Sequence, residues 1–293
     1  MDTVFQLIVS GILSGVSYAI LAVGLAMIVG VMKMINFAHA EFAVLAMYFP
    51  AYWFLEWWGI DPFVSAFIAF PIFFVLGYLT QRLLLERILG APEAETLSVI
   101  ITMGLSFLIA NLILIGWSGA PRIINQPYTM ATWPVGNVVI NKAQVYSLVI
   151  SLAFIGALFL FLNKTLMGKA IKAAADDAEG CAYMGINLRL VYGLAFGVAI
   201  GITGVGGCLM ATFRPFNPFF GETVIVLLFS SVIMGGVTSI TGALLGGVII
   251  GLMQQLSILV VPIGLQNVAV FSLFVVFLYV RPQGILGKKG RAV

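Results

Sequence analysis

The chain opens MDTVFQLIVSGILSGVSYAILAVGLAMIVG (residues 1–30), and after Asp2 no residue in that stretch carries a charge. A helix of about 20 apolar residues crosses a bilayer. A secretory leader would need a basic start and an apolar core of only about 7–15 residues. The stretch has no basic start and runs too long for that core, so it predicts a retained spanning helix. The rest of the chain follows the same pattern.

Composition extends this reading to all 293 residues. Hydrophobic residues make up 62% and charged residues 9%, with a mean hydropathy of +1.14. Soluble domains carry about 25% charged residues, so this chain cannot coat a soluble globule. Its net charge of +3 is too small and too scattered to suggest nucleic acid. Cys181 and Cys208 form no metal or redox motif and are expected as free thiols.

Apolar runs fall near 4–31, 34–55, 62–81, 97–117, 143–162, 191–213, 223–238, 242–261 and 264–280. Backbone in lipid must satisfy its own hydrogen bonds, so these runs predict helices. A membrane barrel would instead show alternation in segments of about ten residues. The expected fold is all-α: one polytopic transmembrane helical bundle over 1–293, with eight or nine spans. Gly235-Gly236 and Gly242 leave two readings open for 226–247, a full span or a short re-entrant segment.

Lysine and arginine set the expected orientation. Arg82 and Arg87, then Lys164, Lys169, Lys172 and Arg189, then Arg281, Lys288, Lys289 and Arg291 account for ten of the fourteen basic residues. Placing these ten and Lys33 inside puts the C-terminus in the cytoplasm and the N-terminus outside. Small residues recur four apart, as in Gly193, Gly197 and Gly201, or Gly11 with Gly15. Such faces let transmembrane helices approach closely. They serve either fixed packing or a sliding interface.

One stretch breaks the apolar pattern: GKAIKAAADDAEGCAYMGIN (168–187). Its alanine content predicts a cytoplasmic helix over 169–184, with Gly185 at the C-cap. Ile171, Ala174, Ala175, Ala178 and Ala182 form an apolar stripe. A surface-bound amphipathic helix should be rich in basic residues and bulky anchors. This one is net acidic over 173–188 with a shallow alanine face, which suits docking to a protein partner.

The stretch AAADDAEGCAYMGINLRLV resembles the cytoplasmic signature of ATP-binding-cassette importer permeases, specifically the branched-chain amino acid permease family. The opening GVSYAILAVGLAMIVGVMKMINFAHAEFAVLAMY, the stretch MGGVTSITGALLGG and the ending RPQGILG are similar to it as well. Ala40 departs from the pattern, where glycine is expected. The resemblance implies an ATPase-coupling helix at about 168–187 that docks through Ala174, Asp176, Asp177, Ala178, Glu179, Gly185 and Ile186. It also implies a second homologous permease, two ATP-binding-cassette ATPases holding ATP and Mg, and a periplasmic substrate-binding protein, in a bacterial inner membrane. This chain has no phosphate-binding loop, since Met167-Gly168-Lys169-Ala170 lacks both the earlier glycine and the following Ser/Thr. No cofactor or enzymatic activity of its own is expected.

Asn36, Phe37, His39, Glu41 and Phe42 are the expected substrate path. Ionisable groups at membrane depth are costly and point to function. On an ideal helix Asn36 and His39 share a face while Glu41 points away, so a relay through all three needs a broken helix. The expectation is that Asn36 and His39 line the path and Glu41 backs the helix. With a single histidine, metal binding is not expected. The segment 214–222 reads as an external connector, and 128–140 as a short external hairpin. The reading reached is a permease subunit of an ATP-driven importer for branched-chain or other small amino acids. Urea, amides and small organic acids are the alternative cargo, and an ion-coupled carrier or channel is the alternative class.

Overall fold

The computed structural model describes residues 2–136 and 138–287, so the expected inside positions of Lys288, Lys289 and Arg291 lie outside the described residues. Twelve α-helices are described: α1 (Asp2–Met32), α2 (His39–Ala46), α3 (Phe54–Trp58), α4 (Pro62–Thr80), α5 (Ala94–Trp117), α6 (Lys142–Lys164), α7 (Leu166–Asp176), α8 (Ala178–Tyr183), α9 (Leu188–Ala211), α10 (Phe220–Gly235), α11 (Ile240–Leu256) and α12 (Gln266–Val280). Six helical stretches among the described residues are long and apolar enough to cross a membrane: α1, α5, α6 and α9, with α4 continued to Ile88 and α11 continued to Leu259. The chain is an all-α polytopic bundle. At about 1.5 Å per residue, α10 and α12, with 16 and 15 residues, reach only about 24 and 22 Å, short of a ~30 Å hydrocarbon core.

The bundle is built around α1 and α9, whose apolar stretches are 89% and 94% buried, against 22% for α5. Small residues explain how neighbours come so close. Along α9, Gly193, Gly197 and Gly201 each receive an aromatic ring of α4, from Tyr78, Phe74 and Phe70 in turn. On α1, Gly15 meets the backbone of Gly247 and Val248 in α11. These glycine rows serve close packing.

The second expected span is broken. Lys33 turns the chain out of α1 at φ +53°, residues 33–36 are irregular, and the helix begins only at His39. It then passes through a π-helical section, Met47–Trp53, that contains Pro50. Proline brings no backbone N–H to the ladder, and the wider π-helical turn lets the chain continue past it. The Cys208 thiol of α9 donates to Ala46 O at 3.5 Å, at the start of this section.

The two ends of the bundle differ. At one, β1 (Thr132–Val135) and β2 (Val138–Asn141) pair antiparallel, and Gln6 bonds the backbone of Val139. The hairpin starts at 132 rather than 128 because Thr129 folds back onto Gln126 O in a turn. Tyr128 donates to Asp61 Oδ2 at 2.7 Å. Burial, and then that bond to Asp61, hold its hydroxyl protonated well above the ordinary tyrosine range. The connector 214–222 is tied to the same end, since Arg122 and Phe216 exchange backbone hydrogen bonds. At the other end Arg82 pairs with Glu86 at 2.7 Å and Arg189 approaches it at 3.5 Å. There too the segment after α12 closes α10: Ile285 N donates to Met234 O and Leu286 N to Gly235 O. Two stretches far apart in sequence, MGGVTS and RPQGILG, thus meet at the end of α10.

Candidate functional site

The irregular run before α2 carries the polar groups. Its backbone is held by Thr102 of α5, whose hydroxyl accepts from Phe37 N at 3.1 Å and donates to Ser98 O. Asn36 Oδ1 accepts from Ala38 N at 3.1 Å, and Asn36 is 1% exposed. This turn starts α2 beside the middle of α1 and α9 rather than at their ends. His39 Nε2 lies 3.0 Å from Leu21 O, about three turns before α1 ends, and 2.9 Å from Thr203 Oγ1, about two turns before α9 ends. Gly24 leaves the room for this contact, because a Cβ there would stand 3.2 Å from His39 Cε1 and 2.9 Å from Ala199 O.

The facing of these residues corrects the sequence reading. His39 is fully buried between α1 and α9, and Asn36 is packed under its own turn. Neither lines the cavity of about 240 Å³ that lies between α2, α5 and α10. Phe37 and Glu41 do line it, with Met103, Ser106 and Phe107 of α5 and Glu222 and Ile225 of α10. The physical reason is that His39 finds two partners in the bundle, which fixes the rotation of α2 and turns Glu41 to the opposite side. Phe42 is buried in the helix packing at 3% exposure. Glu222 joins Glu41 only through folding; its charge at the head of an apolar run, FGETVIVLLF, was the one signal in the sequence.

The acidic segment also differs from expectation. It is two helices, because Asp177 leaves helical geometry (φ −150°, ψ 96°) and caps α8 through Gly180 N at 2.9 Å. Short carboxylates compete with the helix for backbone N–H groups, and here that competition wins. The apolar stripe is used at home: Ile171 and Ala174, 1% and 3% exposed, pack into the core of this chain. Lys172 bonds Asn163 Oδ1 on α6. Exposed positions at this end include Asp176, Asp177, Glu179, Ala182, Tyr183, Met184 and Gly185, and Ala178 and Ile186 are half-buried. Gly185, at φ +78°, closes α8 with Gly185 N on Ala182 O and Ile186 N on Cys181 O, a left-handed cap that glycine adopts without strain.

A family model described as "Branched-chain amino acid transport system / permease component" matches residues 7–280. The chain is 28% identical to the high-affinity branched-chain amino acid transport system permease protein BraD of Pseudomonas aeruginosa, over 97% of this chain and 95% of the relative. It is likewise 28% identical to the permease protein LivH of Escherichia coli K12, with the same coverage. No solved structure matches.

Proposed function

Because the chain belongs to the branched-chain amino acid transport permease family, we propose that it is one membrane-spanning subunit of an ATP-driven importer that moves branched-chain amino acids delivered by an external binding protein. A second related permease and two ATPase subunits complete the assembly, in a bacterial inner membrane. ATP and Mg belong to the ATPases. The end that carries α7, α8 and the closing segment after α12 faces the cytoplasm. The observation that carries this reading is the family match across nearly the whole chain, 7–280.

Two structural features support it. The broken second segment brings Phe37 and Glu41 to a cavity beside the helix α10 start, an arrangement that transporters use near their substrate paths. Asn36, His39 and Phe42 hold that wall in place rather than touching cargo. At the cytoplasmic end, α8 presents Tyr183 and Met184, 88% and 83% exposed, beside Asp176, Asp177 and Glu179. This is an exposed apolar point with an acidic rim, and it is the part of the segment available to an ATPase. A carrier relay through His39 finds less support, since its Nε2 is committed to Leu21 O and Thr203.

Proteoliposomes containing the complete assembly test the reading. Uptake of labelled leucine is expected only with internal ATP and external binding protein together. Uptake by this chain alone under a proton or sodium gradient would overturn it.

A further inference from the structure

Glu41 is 2% exposed, and its Oε2 has no hydrogen-bond partner among the described residues. A carboxylate buried without a partner is expensive. Gly221, at the start of α10, leaves open the space that the Glu41 carboxyl occupies, since a Cβ there would displace it. The next residue, Glu222, lines the same cavity and is exposed at its rim. Phe107 and Met103 on the opposite side are 60% and 40% exposed, so the cavity opens laterally between α5 and α10. Carboxylates facing hydrocarbon are strongly disfavoured, which means this mouth meets water or another subunit rather than lipid.

We propose that Glu41 and Glu222 together receive the ammonium group of the transported amino acid, while Phe37, Phe107, Met103 and Ile225 form the wall for its aliphatic side chain. The proposal rests on the importer reading for the identity of the cargo. Two carboxyl groups sharing one cavity avoid repulsion either by holding a proton or by holding a cation between them, and a buried one gains further from a partner that carries hydrogen-bond donors. A primary ammonium supplies both the charge and three donors. The apolar remainder of the wall selects an aliphatic substituent, since it offers a polar side chain only the Ser106 hydroxyl. Glu222, being exposed at the mouth, meets the cation first, and Glu41 holds it deeper.

The test uses the complete importer reconstituted with its partner subunits, in a background carrying Cys181→Ser and Cys208→Ser. Ile225→Cys places a thiol in the cavity wall. Labelling by methanethiosulfonate ethylammonium and by methanethiosulfonate ethylsulfonate is compared, each rate normalised to that with free cysteine. The cationic reagent is expected to react about tenfold faster, a preference that collapses towards one when Glu41→Gln and Glu222→Gln are added. A ratio near one in the parent overturns the carboxylate station. In parallel, Glu41→Gln is expected to cut ATP-dependent leucine uptake about tenfold, with Glu41→Asp recovering part of it. Co-purification of the Glu41→Gln permease with both ATPases at the parental yield establishes that the loss of uptake is not a loss of assembly. Glu41→Gln transporting like the parent also overturns it. If the parent assembly takes up no amino acid at all, the importer reading fails, and the labelling ratio still decides whether a cation station exists.

Discussion

His39 and Glu41 are two residues apart, and on a helix that separation turns their side chains about 200° from one another. On an unbroken helix the sequence therefore placed them on different faces. It could not show which of them faces the cavity, because that depends on what the neighbouring helices offer each side chain. Leu21 O and Thr203 are 18 and 164 residues away from His39 in the chain, and no local pattern marks them. His39 acts as a clasp between α1, α2 and α9. Replacing it with alanine leaves a buried carbonyl and hydroxyl without it, so His39→Ala is expected to lower stability by about 1–3 kcal/mol. Denaturant unfolding of the detergent-purified assembly measures this, and uptake per folded complex should survive. Unchanged stability combined with abolished uptake would instead place His39 in transport.

At the scale of elements, the glycine rows and the broken acidic segment show opposite degrees of legibility. The small-xxx-small spacing announced close helix contacts, and the structure supplies the partners: α4 against α9, and α11 against α1. Gly247 abuts the Ala19 backbone, where a Cβ would stand 2.5 Å from Cα. Gly247→Val is expected to cost about 1–3 kcal/mol or more through overpacking. Gly156, with nothing within 4 Å of its Cβ position, serves as the contrast: Gly156→Ala should be neutral or stabilise by up to about 1 kcal/mol. Thermal unfolding of both variants side by side decides the matter. In the acidic segment the stripe of Ile171 and Ala174 was visible, but a stripe does not say whether it packs on its own chain or on another. Burial of Ala174 in this chain means that Ala174→Arg should prevent folding. Tyr183→Asp, at an exposed position, should leave the permease folded and weaken its co-purification with the ATPases. Equal loss of folded protein in both variants would remove α8 from the docking role.

For the molecule as a whole, apolar content and run length were enough to determine an all-α bundle, because hydrocarbon leaves the backbone no alternative to satisfying its own bonds. The same runs located the long helices, and glycine spacing foretold where they touch. The basic clusters marked one end, and Arg82, Arg189 and Lys172 do gather there with the closing segment after α12. Helix interruption was harder to read, since the run 34–55 is apolar throughout most of its length, yet its helix begins at His39 and changes pitch at Met47. Pro50 lies within that run, while Thr102 and Cys208, which bond its backbone, lie on other helices. The site was legible in its residue types and illegible in its facing. Glu222 met Glu41 only once α10 had packed beside α2, with Gly221 between them. Sequence alone determined that the chain folds as long apolar helices, because each run's own composition and length decide that. Tertiary structure alone decided which polar groups the bundle consumes and which it leaves lining a cavity, because hydrogen bonds and charges are satisfied by partners distant in the chain.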